Sequence, residues 1–163
     1  MEYSYNVNNS VQPPQQIYEF YSNNKNSKIG EMVCHKTETV LRPDNQAKSL
    51  AIDYLETATH DIGTGKNIMR FAYERSKELG CEGNIIVKAD NSISPERIPH
   101  LFYRRMGFST NNPNIDKQMD KFIKRNQSAT SKDFSSMIMY YPPIHENSRS
   151  TAKLFKRLLG LFR

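Results

Sequence analysis

The feature that most limits what this chain can fold into is a run of four patterns between Leu50 and Ala89. Leu50, Ile52 and Tyr54 alternate with Ala51, Asp53 and Leu55, the period of a strand. Gly63-Thr64-Gly65 then interrupts the chain. Ile68, Phe71, Ala72 and Leu79 follow at helical spacing, with Arg70 and Glu74 four apart on the outer face and Gly80 as the stop. Ile85 to Ala89 is a short apolar run with the character of a buried strand. Strand, glycine turn, helix and strand in that order predict a parallel pair, because a crossover helix returns the second strand in the direction of the first.

The turn carries chemistry of its own. A strand that ends in Gly-Thr-Gly and enters a helix aims backbone N–H groups outward, and with the helix dipole those donors favour an anion. Gly63 and Gly65 place no side chain in its way, and Lys66 adds a positive charge. An ordinary strand-to-helix turn is the competing reading. Two phosphate motifs are excluded. A Walker loop needs glycine where His60 stands and Ser or Thr where Asn67 stands, and a dinucleotide fingerprint needs a third glycine within Lys66-Asn67-Ile68.

Around this stretch the chain reads as one domain, residues 16–142, of α/β class in the mixed α+β form. Residues 1–15, rich in Asn, Ser, Gln and Pro, predict a flexible N-terminal arm. Gln16 to Tyr21, Ile29 to Lys36 and Thr37 to Leu41 predict an antiparallel meander, with Asn-rich Ser22 to Ser27 and Arg42-Pro43-Asp44-Asn45 as turns before a long strand from Ala47 to Thr57. A helix is expected from Ser94-Pro95 through Tyr103, disturbed or restarted at Pro99, with a strand opening at Phe108. Ile115, Met119, Phe122 and Ile123 then recur on a helical stripe, predicting an inserted helix over about 113–126, with Asp116, Lys117, Asp120, Lys121, Lys124 and Arg125 on its other face. That helix reads either as a patch over the core or as a lid that recognises a macromolecular acceptor. Met137 to Tyr141 is a last strand, stopped by Pro142-Pro143.

Residues 143–163 form a basic tail. Leu154, Phe155, Leu158, Leu159 and Phe162 make one face, flanked by Lys153, Lys156, Arg157 and Arg163. It suits docking on the domain or on a second subunit of a homodimer, and equally an anionic membrane or the groove of a partner protein. Lys and Arg outnumber Asp and Glu by 23 to 17, a net charge of +6 that favours anionic partners. Two cysteines without metal-ligand spacing suggest reduced thiols, no metal site and a cytoplasmic setting. No apolar run approaches the ~20 residues that span a bilayer, and the polar N-terminus lacks the apolar core of a signal peptide.

Two motifs in order carry a resemblance. His60-Asp61-Ile62-Gly63-Thr64-Gly65 opens a helix after a strand, and Tyr103-Arg104-Arg105-Met106-Gly107-Phe108 follows one helix and one strand later. Together, over roughly residues 47–108 and a late strand, they resemble the GNAT superfamily of N-acetyltransferases, whose signatures read (Arg or Gln)-x-x-Gly-x-(Gly or Ala) and Tyr-x-x-x-Gly-Phe. Leu55-Glu56-Thr57 falls in register with the strand before the first signature. The chain departs at His60, where the family has Arg or Gln, and at Glu96, where it often has Asn. It also leaves no room for the two helices that the family places between its first two strands.

The resemblance implies a mixed, mostly antiparallel sheet with a splayed parallel strand pair and flanking helices. It further implies acetyl-CoA as co-substrate, with the pyrophosphate at His60, Asp61, Ile62, Gly63, Thr64, Gly65 and Lys66, and the thioester polarised by backbone N–H groups around Leu55 and Thr57. The chemistry is attack of a neutral amine on the thioester. Tyr103 stands where the family often has the general acid, the alternative being a tyrosine that only packs. For the base Glu56 is on the right strand, Glu31 and Glu38 lie on strands near it, and a water chain would also serve. His60 and His100 have suitable side chains but read first as cofactor contact or structural polar group. Cys81 lacks His and Asp partners for a cysteine nucleophile. The expected function is an acetyl-CoA-dependent N-acetyltransferase. The alternatives are a non-catalytic acyl-CoA-binding or interaction module on the same fold, and a basic, RNA-directed member that acetylates an RNA-borne amine, as some toxins of the family do.

Overall fold

The computed structural model of the chain describes residues 3–9, 14–23, 27–37, 42–58 and 62–145, with the backbone alone at 62. Among these the elements run β1 (Tyr3–Asn8), β2 (Gln16–Ser22), β3 (Lys28–Lys36), β4 (Leu50–Thr57), α1 (Ile62–Glu78), β5 (Ile85–Ala89), α2 (His100–Arg105), α3 (Pro113–Lys124) and β6 (Met137–Tyr141). The strands form one mixed sheet in sequence order, with one parallel pair among those described, as the crossover through α1 requires. The expected fold class is therefore the observed one. The chain divides into two compact units, Met1–Leu41 with Ala47–Ile85, and Arg42–Gln46 with Ile86–Arg163.

The first unit is an antiparallel meander of β1, β2, β3 and β4 with α1 on one face. β3 shows why. Gly30, Met32 and Cys34 are buried on alternate positions, while Glu31, Val33 and His35 point the other way. α1 lays Ile68, Met69 and Ala72 into that face against Phe20, Met32, Leu50 and Ile52, all buried. Each fully buried side chain of this size contributes about 1.5–3 kcal/mol. Phe71 gathers the rings of Tyr5, Tyr18 and Phe20 at centroid distances of 4.6, 4.9 and 5.2 Å. Within the flexible arm expected over residues 1–15, Tyr3–Asn8 is a strand instead, its Tyr3 ring against Phe20 and its half-exposed Tyr5 ring against Phe71 and Tyr18.

Gly30 is where α1 comes closest. A Cβ there would stand 2.6 Å from Ile68 Cδ1 and 2.8 Å from the Glu56 carbonyl oxygen. Because the second neighbour is backbone, Gly30→Ala should act as overpacking and destabilise by ~1–3 kcal/mol. At roughly 2–4 °C per kcal/mol for a chain of this length, thermal denaturation should show a Tm lower by several degrees. An unchanged Tm would mean that α1 sits further from β3.

In the second unit β5 is buried but for Lys88. α2 is short and begins at His100, not near Ser94-Pro95. Pro99 occupies its N-cap position, so the helix starts there and is not a restart of an earlier one. No strand opens at Phe108; Ser109 makes only an isolated bridge to Tyr140. α3 falls where its stripe predicted. Asn112 caps it by accepting the Asn114 N–H at 3.0 Å, Pro113 opens it, Met119 is fully buried and Phe122 packs on Phe134 at 5.4 Å. The helix thus patches the core, as one of its two readings held. Its two acids depart from expectation. Asp116 is buried and Asp120 turns inward to Arg104, leaving Lys117, Lys121, Lys124 and Arg125 exposed.

The Arg42–Asn45 turn is pinned by a buried guanidinium. Arg42 donates from Nε and Nη2 to both Asp44 carboxylate oxygens at 3.0 and 2.9 Å, and from Nη2 to the Pro142 carbonyl at 2.7 Å. The expected strand over Thr37 to Leu41 falls, apart from the non-strand Thr37, outside the described residues, as does the C-terminal tail.

Candidate functional site

The sequence-expected residues lie in both units, and each group is placed within its own. In the first unit β4 ends at Thr57 and α1 begins at Ile62. Gly63-Thr64-Gly65 lies inside the first turn of α1 rather than ahead of it, a shift of the helix start toward the N-terminus. Gly63 is exposed, Thr64 and Gly65 are buried and Lys66 is half-buried. No acidic residue stands in that turn, and Arg70, exposed one turn on, adds a second positive charge to that of Lys66. The first turn of α1 thus holds no acid and one exposed position without a Cβ, with Lys66 and Arg70 further along the helix, a composition that suits an anionic group. His60 and Asp61 lie outside the described residues.

Leu55 and Thr57 pair with Met32 and Gly30, so they share the face that α1 covers and the end at which α1 starts. Glu56 does not. It pairs with Glu31, which pairs with Glu19, and this row lies on the opposite face of the meander. Tyr54 donates its hydroxyl to Glu56 at 2.8 Å, Tyr21 donates to Glu19 at 3.2 Å, and Lys28 bridges Glu19 and Glu31. The structure therefore groups Glu56 and Glu31 with each other and separates Glu56 from Leu55 and Thr57. Glu38 is outside the described residues.

In the second unit Tyr103 is 6% exposed. Its ring packs on Phe102 and Phe108 at 5.3 and 5.6 Å. The turn of the second motif closes on it: the Phe108 N–H donates to the Tyr103 carbonyl at 3.1 Å, and the Gly107 N–H to Arg104 at 3.0 Å. Gly107 has a φ of 90°, which a side chain would strain. Burial alone raises the Tyr103 phenol well above the ordinary tyrosine range, so it is protonated at neutral pH and a weaker acid than an exposed tyrosine.

The other candidates resolve as structural groups. His100 is 0% exposed; its Nε2–H donates to the Ser135 carbonyl at 2.8 Å, which leaves Nδ1 as a buried, unprotonated nitrogen. Burial lowers its pKa, against weaker opposing effects of the Ser135 hydrogen bond and Asp90. The folded state therefore binds fewer protons than the unfolded state below the usual pKa of about 6.5. Its contribution to stability is complete above that pH and is lost as pH falls through it. In thermal melts taken across this range, wild type should lose stability on the acid side by at most about 1.4 kcal/mol per pH unit from this group. His100→Asn, which keeps an N–H donor, should flatten that part of the profile, and an equal slope in both proteins would show that His100 stays neutral in neither or both states. Cys34 and Cys81 are buried, and burial pushes the Cys34 thiol up to about 12 and raises that of Cys81, so neither is poised as a nucleophile.

Sequence reasoning missed the polar links behind Tyr103. The Arg104 guanidinium donates from Nε and Nη2 to Asp120 Oδ1 and Oδ2 at 2.7 and 2.8 Å, and from Nη1 to the Phe108 carbonyl at 3.0 Å. Asp116 accepts from Thr110 N–H and Oγ1–H at 2.8 and 3.0 Å. Among the described residues no helix is long and apolar enough to cross a membrane.

The fold is similar to that of a chain in the crystal structure of a KacTA–DNA complex, at 16% identity and a TM-score of 0.51, over 90% of this chain and 76% of that one. It is also similar to a bacterial toxin of known crystal structure, at 13% identity and a TM-score of 0.52, over 93% and 75% of the two chains. No protein-family model and no curated protein matches the sequence. At these identities the likeness shows the fold alone.

Proposed function

We propose that the chain is an acetyl-CoA-dependent N-acetyltransferase. What supports this reading is that Gly63-Thr64-Gly65 lies in a helix first turn that holds no acid, with Lys66 and Arg70 further along, and that Tyr103 is a buried, protonated phenol in a closed turn. When bound, the co-substrate supplies an acetyl thioester. The α1 N-terminus and Lys66 hold its pyrophosphate, joined by His60 and Asp61, which come just before α1 in sequence. Backbone N–H groups around Leu55 and Thr57 polarise the carbonyl. A neutral amine forms the new C–N bond as the C–S bond breaks, and Tyr103 gives its proton to the departing sulfur. The base is a water chain or one of Glu56 and Glu31. The shared row of those two carboxylates away from the α1 face favours water.

A ligand that binds only the folded state at one hundred times its Kd stabilises by ~2.7 kcal/mol. Acetyl-CoA in that excess should raise Tm by roughly 5–10 °C, and desulfo-acetyl analogues of the same charge should do the same. Absence of any shift at millimolar acetyl-CoA would remove the proposal. Thiol release against a panel of amines, peptides and tRNA then identifies the acceptor.

One observation favours an RNA-borne acceptor over a small amine. Lys117, Lys121, Lys124 and Arg125 are exposed on α3 without an ion pair among the described residues, because Asp116 is buried and Asp120 is paired with Arg104. The likeness of the fold to a bacterial toxin and to a chain from a DNA-bound complex agrees with a macromolecular partner. On this reading RNA affinity falls steeply with salt, and Lys121→Glu with Lys124→Glu weakens it and flattens the salt slope by about two.

A further inference from the structure

We infer that Arg104 and Asp120 are a positioning pair, through which α3 grips the short helix α2 and holds the Tyr103 phenol in one place. The inference rests on the reading of Tyr103 as proton donor. α2 has six residues and no side-chain cap at Pro99, too little helix to set its own orientation. What holds it is the side chain next to the tyrosine. Arg104 is 2% exposed and forks onto both oxygens of Asp120, one turn beyond the buried Asp116 of α3. Its remaining nitrogen reaches the Phe108 carbonyl, at the far end of the turn that begins with Tyr103. A single guanidinium therefore ties the start of that turn, its end and α3 together. Lysine has one charged nitrogen and cannot span these acceptors.

α3 is itself fixed at its start. Asn112 caps it, and Thr110, two residues after Phe108, donates twice to Asp116. The segment from Tyr103 to Asp120 is thus closed at two points by charged or polar groups whose acceptors are on α3. Arg105, the next residue, is exposed, so the pairing selects one of two adjacent arginines. A purely structural bridge would predict loss of stability and nothing else. A positioning pair predicts that the phenol changes its surroundings while the chain remains folded.

Asp120 is half exposed, which makes Asp120→Asn a mild change that keeps an oxygen for one hydrogen bond and removes the charge. Displacing a reacting group by about 1 Å costs on the order of 100-fold in rate. In Asp120→Asn we expect kcat for thiol release to fall roughly 10-fold or more, with KM for acetyl-CoA unchanged. Asp120→Glu should recover most of the loss, and Arg104→Lys should not. The second readout needs no turnover. The near-ultraviolet circular dichroism of wild type minus that of Tyr103→Phe, taken at neutral pH, isolates the fixed Tyr103 ring. In Asp120→Asn, and in Arg104→Lys if the first variant does not fold, that difference band should weaken as the ring loses its single setting. A folded variant with an unchanged Tyr103 band overturns the inference, as does an unchanged kcat where turnover is measured. If no acceptor gives thiol release with the wild type, the proposed reaction fails while the dichroism still decides the pairing.

Discussion

Tyr103→Phe should lower kcat for thiol release by roughly 10²–10⁴-fold, the range that a positioned general acid contributes. It should leave acetyl-CoA stabilisation in place. The substitution removes one oxygen from a ring that packs on Phe102 and Phe108, so the hydrophobic contacts and the fold remain. Burial raises its pKa, which keeps the proton on the oxygen through the neutral range. The same burial makes the phenol a weaker acid, so donation is confined to the moment at which charge builds on the departing sulfur. The pH profile adds a check: wild-type kcat should hold on the alkaline side beyond the range where an ordinary tyrosine would be lost. Turnover within two-fold of wild type in Tyr103→Phe would reduce this residue to a packing role.

Asp44→Asn should be the most damaging single substitution outside the core. It leaves the Arg42 guanidinium, 2% exposed, without a counter-charge; because the Asp44 side chain is only part-buried and Arg42 keeps the Pro142 carbonyl, the cost lies at the low end for a buried pair, about 3 kcal/mol. For a chain of this size that is a fall in Tm on the order of 10 °C. The double substitution Arg42→Met, Asp44→Asn should recover part of the loss, since no charge is then left buried. Burial alone would raise the Asp44 carboxyl, but the hydrogen bonds and charge of Arg42 outweigh it and hold the group below the usual carboxylate range. A depressed acid stabilises above its unfolded pKa of about 3.9. Wild type should therefore lose this contribution as pH falls below that value, and Asp44→Asn should not. Chemical denaturation of the three proteins at neutral pH reads the first effect, and the same melts at acid pH the second. A single variant no less stable than the double would place solvent, not Asp44, as the partner of Arg42.

Periodicity made most elements legible. The alternation around Leu50, Ile52 and Tyr54, the helical stripe from Ile68 to Leu79 and the apolar run at Ile85 correspond to β4, α1 and β5. What periodicity missed depends on partners distant in sequence. β1 was hidden by its asparagines, because the rings that hold it, Phe20 and Phe71, belong to β2 and α1. Asp116 was assigned to the outer face of α3 although it stands three before Met119, on the buried side, where Thr110 satisfies it, which no local pattern reveals. Asp120 stays half exposed, with its carboxylate drawn to Arg104. Of the site, the two motifs could be read, since glycine and tyrosine at fixed offsets carry backbone requirements. Glu56 could not be placed by proximity in sequence, because neighbours on a strand face opposite ways.

The account rests on an anion site at the start of α1, and titration calorimetry of acetyl-CoA into the full chain and into Gly63→Glu tests it most directly. A carboxylate in the first turn suits the helix dipole, so the variant should keep its fold, while its charge occupies the place of the pyrophosphate. Saturable binding to wild type, lost in a folded Gly63→Glu, is the predicted result. Equal binding to both proteins, or none to wild type at millimolar acetyl-CoA, would contradict it.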